Sequence, residues 1–462
     1  MRTRSCQSRD VSALVEQPAT WMARAVRERE VSALELFEAH AERIAERDPE
    51  INALVLPRLE EAREEAVAAD KVAPSGPLHG VPFTCKDPFA VAGMRAPNGS
   101  KLLADYVSDA DCAPVAAMRA AGAILLGKTN VSEFASWWDS VNPLFGATAN
   151  PHDPSRTAGG SSVGEAAAIA SGMSPLGLGS DLGGSIRNPC HFTGLFGLKA
   201  GRESLPFVEH APLPAGPGIR SMGVIGPMAR AVADLELALG VLAIRPLGTA
   251  ERPARIAVFE EDGLQPVSRA CRAAVRRAAE ALAGYELVEA APPNPGEVRA
   301  AMDIIIGTEM ASTMPAVVGD RFSELSPYLQ EMFGEARGPG PGLPAYLDAS
   351  ARLARYEGEA DAWFREHPVA VCPCAPDVAP PLGGRWPAEL DGVPMRPGGK
   401  LTLATYASAL GLPAVCVPVM RAEDSGLPVG VQLIGARGSE RSLLALAAEL
   451  ESSLGGWLRP PD

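Results

Sequence analysis

Lysine is scarce in this chain. Of its 42 basic residues only six are lysines, at positions 71, 86, 101, 128, 199 and 400. Arg and Lys are not interchangeable, because a guanidinium stays charged whereas a buried ammonium readily gives up its proton. A lysine within an apolar segment of this chain therefore indicates a specific role.

A basic surface and a long apolar run are also missing. The formal net charge is −14 at neutral pH, whereas proteins that bind nucleic acids or anionic membranes present basic faces. The sequence contains no uninterrupted run of about 18 apolar residues, the pattern that predicts a membrane-spanning helix. The basic N-terminal residues precede no apolar segment of the kind found in signal peptides. We therefore expect a cytoplasmic protein that binds neither nucleic acid nor a membrane.

The cysteines lack the spacing of a metal or redox site. Eight are present, none in a CxxC pair, and Cys372 and Cys374 have no His or Cys partners at zinc spacing. A chain of 462 residues buries enough apolar surface to fold without disulfides. The sequence thus predicts reduced, mostly buried thiols, with no metal and no cofactor.

Short apolar segments alternate with helical segments along much of the chain. Val81–Thr84 and Ala123–Leu126 are typical of buried strands, and residues 108–121 between them are typical of a helix. This alternation predicts an α/β sheet with crossover helices. Strands are also expected at Pro175–Leu178, Arg255–Phe259, Ala414–Pro418 and Val429–Ile434, and helices at Glu165–Ser171, Ala229–Leu242, Val267–Gly284 and Glu440–Leu454.

The remaining segments are predicted to be N-terminal helices and long loops. Residues 10–70 are typical of helices, with a capping box at Ser32 and Glu35 that begins one helix and Pro49 that ends it. Gly, Ser and Pro predict loops at 151–164, 336–345 and 373–399, and 245–252 is the one plausible linker.

Three segments carry residues suited to acyl transfer. They are VPFTCKDPF with Lys86, TAGGSSVGE with Ser161 and Ser162, and SDLGGSIRNP with Ser185. A serine becomes nucleophilic when a base takes its proton, and a lysine desolvated at the end of an apolar strand is such a base. The glycines before Ser185 allow backbone N–H groups to converge as an oxyanion hole, for which the candidates are Leu182, Gly183, Gly184 and Ser185.

These segments resemble the amidase signature family. The resemblance covers about residues 10–455 and is densest from 76 to 230, in GPLHGVPFTCKDPF, GAILLGKTNVSEFA, NPHDPSRTAGGSS, SPLGLGSDLGGSIRNPCHFTGLFGLK and VIGPMARAVADL. GLPAV and PVGVQLIG near the C-terminus fit as well. The resemblance implies a single large α/β domain, an open twisted mixed β-sheet covered by helices on both faces. We expect a helical segment at 1–75 packing on the core, a catalytic core at 76–245, and the rest of the same domain with substrate-pocket loops at 246–462.

The resemblance also implies a Ser–cisSer–Lys triad. Ser185 is then the nucleophile, Ser161 after a cis Gly160–Ser161 bond is the relay, and Lys86 is the base. The implied activity is hydrolysis of a small-molecule amide through an acyl-enzyme, which releases a carboxylic acid and ammonia or an amine. Three departures from the family pattern stand nearby: Val163 replaces a frequent Gly, Ala200–Gly201 replaces Pro-Thr, and Ser180 replaces a frequent Thr.

Neighbouring residues receive supporting roles. Ser162 is expected to hold the loop by hydrogen bonding, Asp181 and Arg187 to pair behind the nucleophile, and His191 to pack rather than act as a base. Lys128 ends another apolar strand and is expected to be structural. Of Trp137 and Trp138, we expect one to pack in the core and the other to line an acyl pocket. The apolar segment 302–314 is either a wall of that pocket or a core helix, and it favours an apolar acyl or aryl amide as substrate.

Other functions stay open at this point. One is the A-type amidotransferase subunit that acts on charged tRNA within a complex, and another is a non-catalytic relative of the family. A Ser-His-Asp hydrolase would use Ser162, the centre of a G-x-S-x-G match, but that motif needs a strand before it and the residues before it are typical of a turn-rich loop. A homodimer is also possible from the sequence.

Overall fold

The computed structural model describes residues 11–208, 210, 212–335, 341–384, 386–395 and 402–461. Its helices are α1 (Val11–Val15), α2 (Ala19–Arg27), α3 (Ala33–Ile51), α4 (Leu59–Ala69), α5 (Ala113–Ala120), α6 (Val163–Ala170), α7 (Arg187–Thr193), α8 (Pro217–Met222), α9 (Val232–Leu242), α10 (Arg269–Ala281), α11 (Pro295–Val318), α12 (Pro327–Glu335), α13 (Gly342–Glu366), α14 (Thr402–Ala409) and α15 (Glu440–Leu454). Its strands are β1 (Leu54–Pro57), β2 (Pro82–Lys86), β3 (Ile124–Thr129), β4 (Val141–Asn142), β5 (Gly146–Ala147), β6 (Ala149–Asn150), β7 (Asp153–Thr157), β8 (Leu176–Asp181), β9 (Phe196–Lys199), β10 (Val224–Ala229), β11 (Arg255–Val258), β12 (Glu286–Glu289), β13 (Val369–Pro373), β14 (Glu389–Leu390), β15 (Val393–Pro394), β16 (Ala414–Arg421) and β17 (Pro428–Gly435).

Eleven strands form one central sheet, in the order β1-β3-β2-β8-β10-β9-β16-β17-β13-β11-β12. Strands β3, β2 and β8 are mutually parallel, as are β13, β11 and β12, and the other neighbours are antiparallel. The sheet is therefore mixed, and the predicted α/β fold is confirmed. Since β1 pairs with β3 at the edge of the sheet, residues 10–70 contain a strand as well as the predicted helices.

Helices cover both faces of the sheet. Side chains of α2, α5, α9, α10 and α15 pack in one apolar cluster with one face. On the other face α3, α4 and α6 pack over β1 and β3, and α11, α13 and α14 pack over the other half of the sheet. The most apolar strands are buried along their whole length, as expected for strands covered on both sides.

Helix α3 begins where the sequence predicts and ends later. The Ser32 side chain accepts from the Glu35 N–H at 3.0 Å, and the Glu35 carboxylate accepts from the Ser32 N–H at 2.7 Å. Pro49 does not end the helix, which continues to Ile51 and stops at Asn52 in the left-handed conformation. A proline this close to the C-terminus costs only one backbone hydrogen bond, so the prediction at Pro49 is wrong.

All three predicted loops contain regular structure. Strand β7 lies inside the 151–164 segment and pairs with β6 just before it, and the β14–β15 hairpin lies inside 373–399. Residues 342–345 belong to α13 rather than to a loop, whereas 336–340 and 396–399 lie outside the described residues. Glycine and proline mark chain reversals here, but they do not exclude strands of two to five residues between them.

Helix α11 is, within the described part of the chain, the one helix with the length and hydropathy of a membrane span. It also packs against α8, α13 and α14. Core helices of large proteins meet the same criteria of length and composition.

The carboxyl ends of two parallel strands set the position of the functional site. β2 and β8 are hydrogen-bonded neighbours, with Thr84 opposite Gly177 and Cys85 opposite Leu178. Their last residues are Lys86 and Asp181. Ligands in open α/β sheets bind beyond the carboxyl ends of the strands, so this edge is where a site is expected.

Candidate active site

Lys86 lies at the end of β2 with no exposed surface. Its Nζ is 2.7 Å from Ser161 Oγ and 2.9 Å from Ser180 Oγ. Burial lowers the pKa of Lys86 to about 7, although the charges of Asp181, Glu165 and Asp87 act in the opposite direction. A large fraction of this amine is therefore uncharged at neutral pH, which is the form that accepts a proton.

Ser161 follows a cis peptide bond, Gly160–Ser161. A side chain at position 160 would lie 2.7 Å from the backbone of Trp138 and 2.8 Å from that of Trp137, so only glycine fits there. Ser161 is almost completely buried but still contributes to the wall of the adjoining cavity.

Ser185 lies on the same cavity wall as Ser161. The residue before it, Gly184, has a φ of 109°, which favours glycine, and a Cβ there would approach the Asn188 side chain to 2.7 Å. The two serine segments are also joined directly, because the Ser162 N–H donates to the Ser185 carbonyl at 3.1 Å. The structure thus brings Lys86, Ser161 and Ser185 to one site.

Asp181 and Arg187 form a buried ion pair behind the Ser185 loop. Arg187 Nη2 is 2.8 Å from Asp181 Oδ1, and its Nε is 3.0 Å from Oδ2. Burial favours the neutral acid, yet the guanidinium charge and hydrogen bonds of Arg187 hold the pKa of Asp181 well below its usual range. The two side chains pair as the sequence predicts.

One of the predicted oxyanion donors is instead hydrogen-bonded to the carboxylate of Asp181. The Gly184 N–H donates to Asp181 Oδ1 at 2.8 Å, and the Ile186 N–H donates to Oδ2 at 3.1 Å. Gly184 therefore uses its donor to hold the loop and does not offer it to a ligand. Of the predicted set, Leu182, Gly183 and Ser185 remain, and all three line the cavity.

The cavity in front of the serines has a volume of about 480 Å³ and a mainly apolar wall. Its aromatic lining residues include Trp137, Trp138, Phe207, Phe333 and Trp386. Helix α11 contributes Met302, Ile306, Met310, Met314 and Val317. Segment 302–314 therefore lines the cavity as part of a packed helix. One tryptophan packs among buried residues as expected, since Trp138 is only 8% exposed. Both tryptophans nevertheless line the wall, and Trp137 stacks on Tyr328 at 3.8 Å between ring centroids.

Three other candidate residues lie outside this cavity. Lys128 Nζ donates to the Arg95 carbonyl at 2.5 Å and lies 3.6 Å from Asp87. Ser162 Oγ accepts from the Ser180 N–H at 3.3 Å. The ring nitrogens of His191 lie 3.0 Å from the backbone carbonyls of Gly430 and Asp377. All three are buried and bonded to other groups, so each has the structural environment that the sequence analysis expects.

Two residues near Lys86 escape the sequence analysis. Glu165 in α6 accepts from Thr84 Oγ1 at 2.8 Å and from Thr129 Oγ1 at 2.7 Å, and burial raises its pKa to about 8. A lone acidic residue in the small-residue segment VGEAAAIA is the signal that points to it. His210 Nε2 lies 3.0 Å from Ser180 Oγ. It belongs to an irregular segment, where no periodicity indicates what a side chain contacts.

The described cysteines are free, and all except the half-buried Cys112 are buried. Over the described ranges, no three His, Cys, Asp or Glu side chains are arranged to hold a metal ion.

Comparisons with known proteins agree on one family. The family model described as Amidase matches residues 35–444. The indoleacetamide hydrolase of Bradyrhizobium diazoefficiens is 34% identical over 457 residues, covering 94% of this chain and 86% of the relative. The A-type subunit of the glutamyl-tRNA(Gln) amidotransferase of Nitratidesulfovibrio vulgaris is 33% identical, covering 89% and 91% of the two chains. A crystal structure of an amidase matches with a TM-score of 0.86 and 31% identity, over 95% of this chain and all of the other. With a family match across nearly its whole length, this chain belongs to the amidase signature family and is an enzyme that hydrolyses carbon–nitrogen bonds.

Proposed function

We propose that this enzyme hydrolyses small-molecule amides with Ser185 as nucleophile, Ser161 as proton relay and Lys86 as base. The observation that carries the proposal is the 2.7 Å contact between Lys86 Nζ and Ser161 Oγ in a fully buried setting. An exposed lysine would stay charged at neutral pH. Burial instead brings the pKa of Lys86 to about 7, so its amine can both accept and release a proton at neutral pH.

Acylation begins with proton transfer along the three side chains. Neutral Lys86 takes the proton of the Ser161 hydroxyl, Ser161 takes that of Ser185, and Ser185 Oγ attacks the amide carbonyl. The developing oxyanion accepts hydrogen bonds from the N–H groups of Leu182, Gly183 and Ser185. Backbone donors fixed before the reaction stabilise this charge without reorganisation, and the Asp181–Arg187 pair fixes them by holding Gly184 and Ile186.

The same relay completes the cycle. An amide nitrogen leaves only when protonated, so the proton on Lys86 returns through Ser161 to the leaving ammonia or amine. Water then attacks the acyl-enzyme, gives its proton to the relay and releases the carboxylic acid.

The cavity wall favours an apolar acyl group on the substrate. Aromatic rings and the methionines of α11 surround the space in front of Ser185, and apolar lining with few polar groups selects ligands by buried apolar area. A volume of about 480 Å³ holds a bicyclic or medium-chain acyl group. One relative of this chain is named for indoleacetamide, an amide with an aromatic acyl part.

A fluorophosphonate probe tests the assignment of the nucleophile. We expect the probe mass on the peptide that contains Ser185, loss of labelling in Ser185→Ala, and retained labelling in the matched control Ser162→Ala. Incubation with a panel of amides then ranks substrates, with aryl-acyl and medium-chain amides above acetamide. Labelling at another serine, or labelling unaffected by Ser185→Ala, would refute the proposed nucleophile.

The amidotransferase function is the second candidate, favoured by the 33% identity to the corresponding chain of an amidotransferase. It predicts glutamine-dependent ammonia release that rises on addition of partner subunits. The net charge of −14 and the apolar wall beside Ser185 support the free-standing hydrolase instead. Hydrolysis of apolar amides by the purified chain alone, with no response to glutamine, separates the two. A non-catalytic role would give the buried Lys86–Ser161 contact no function.

The cytoplasmic location and the homodimer stay predictions from the sequence.

A further inference from the structure

His210 contacts the base through one intermediate hydroxyl, and the proposed mechanism gives it no role. Its Nε2 lies 3.0 Å from Ser180 Oγ, and Ser180 Oγ in turn lies 2.9 Å from Lys86 Nζ. His210 also borders the cavity that holds Ser161 and Ser185. The imidazole, the hydroxyl and the amine thus form a line that ends at the relay serine.

The single hydrogen of the Ser180 hydroxyl decides where the lone pair of Lys86 points. When Ser180 donates to His210 Nε2, its oxygen lone pairs face Lys86 and accept an amine N–H. The lone pair of neutral Lys86 is then available to Ser161. When Ser180 donates to Lys86 instead, it occupies that lone pair and competes with Ser161 for the base.

The Ser180 hydroxyl needs a partner that fixes its orientation, and the imidazole of His210 has the properties of such a partner. Residue 180 is a serine, which lacks the methyl group that restricts χ1 in threonine. The imidazole is uncharged at working pH, because burial, with a further contribution from the charge of Lys86, lowers the pKa of His210 to about 3. A neutral imidazole whose Nδ1 carries the proton presents Nε2 as an acceptor.

We propose that His210 is a positioning residue that accepts the Ser180 hydroxyl at Nε2 and so directs the lone pair of Lys86 to Ser161. This inference rests on the proposed function, since it requires Lys86 to be the base. It adds to the three triad residues a third hydroxyl, that of Ser180, and the imidazole behind it.

A pair of variants separates the acceptor from the bulk of the side chain. His210→Leu fills the space without an acceptor, whereas His210→Gln places an amide oxygen where Nε2 stood. We expect kcat for an aryl-acyl amide to fall about tenfold in His210→Leu with KM within about twofold, and most of kcat to return in His210→Gln. Unchanged kcat in His210→Leu, or a change confined to KM, would show that His210 only lines the cavity and would overturn the inference.

A double-mutant cycle with Ser180→Ala tests the route of the effect. If His210 acts through Ser180, His210→Leu has no further effect on kcat once the hydroxyl is gone, so the two losses are not additive. Additive losses would mean that His210 acts independently of Ser180 and would reject the proposal. Thermal unfolding midpoints within a few degrees of the parent are required of each variant, and His210→Ala, which also lacks an acceptor, takes the place of His210→Leu if that variant does not fold.

Amide turnover by the parent protein separates a failure of this inference from a failure of the proposed function on which it rests. Amide turnover that depends on Lys86 and labels Ser185 supports the function whatever His210 does. If the parent shows no such turnover, the proposed function fails and the role of His210 fails with it.

Discussion

Two opposing influences set the proton affinity of Lys86. Removal from water favours the neutral amine, and the nearby carboxyl groups of Asp181, Glu165 and Asp87 favour the ammonium. Burial is the larger influence and brings the pKa to about 7. Asp181 is the most strongly ionised of these carboxyl groups, because its partner Arg187 stabilises its negative charge.

Loss of Lys86 should abolish amide turnover with little effect on folding. In Lys86→Met we expect kcat/KM to fall by about 100-fold or more, since general base catalysis contributes at least that factor. In the parent, kcat/KM should decline as the pH falls through about 7, because the protonated amine accepts no proton. Lys128→Met is the matched control, because Lys128 is a buried lysine one residue before the end of the neighbouring strand β3. The decline of kcat/KM at low pH should occur at the same pH in Lys128→Met as in the parent. Full activity in Lys86→Met would exclude Lys86 as the base.

Glu165 gives the stability of the protein a specific pH dependence. Burial raises its pKa from 4.5 to about 8, so between these values the folded state holds a proton that the unfolded state has released. Stability contributed by this group is present below pH 4.5 and is lost as the pH rises toward 8. Glu165→Gln has no such proton. We expect urea unfolding at pH 5.5 and pH 8.5 to show a parent that loses stability relative to the variant at the higher pH, and a constant difference would contradict the raised pKa.

The identities of the reactive side chains can be predicted from this sequence, whereas much of their hydrogen bonding cannot. Lys86 and Ser185 belong to short segments in which a polar residue follows an apolar strand or two glycines. This local pattern makes them candidates, and the resemblance to the family supplies their proposed roles. The Gly184 N–H bond to Asp181 depends on the path of the loop. The contact of His210 with Ser180 depends on where a segment 30 residues away returns to the sheet, and no local pattern encodes that.

At the scale of elements, α11 is both a packed helix and a wall of the cavity, two roles that its sequence presents as alternatives. Its apolar residues pack on α13 and also form the cavity wall. Periodicity identifies the helix, but it does not reveal that one face borders an empty space rather than a neighbouring element. The same limitation applies to β1, where the short segment Leu54–Pro57 becomes an edge strand only because β3 is beside it.

Gly307 allows the width of the cavity to be changed without strain. It lies inside α11, lines the cavity, and a Cβ built on it meets no atom within 4 Å. Gly307→Ala should raise the free energy of unfolding by about 0.5–1 kcal/mol, the usual gain for replacing glycine within a helix. Gly307→Leu should reduce kcat/KM for an aryl-acyl amide by roughly tenfold relative to acetamide, because it fills space that the larger acyl group needs.

The control for Gly307→Leu is Gly358→Leu, at an exposed position in the interior of α13 that also has open space around its Cβ. Its ratio of activities on the two amides should equal that of the parent. Equal ratios in Gly307→Leu as well would mean that the acyl group does not extend along α11.

At the scale of the whole molecule, the proposed catalytic core and the C-terminal part share one sheet. Strand β9 pairs with β16, with Leu198 opposite Val415. Arg187 crosses the same boundary, since it donates to Gln432 Oε1 at 2.9 Å and to the Ala404 carbonyl at 2.8 Å. The loop that carries Ser185 is therefore held by residues on both sides of the 245–252 linker.

A fragment of residues 1–245 should not fold alone. Without β16 the edge of β9 is unpaired, and Arg187 loses its partners on β17 and α14, which leaves a buried charge only partly bonded. We expect the fragment to lack a cooperative urea transition. The matched control is the full chain cut at a protease site inserted near Gly248, an exposed position outside helices and strands. The cut chain keeps every contact across the sheet and should stay folded and active. A cooperative transition in the isolated fragment would show that the catalytic core is a domain of its own, and the C-terminal part would then be dispensable for positioning Ser185.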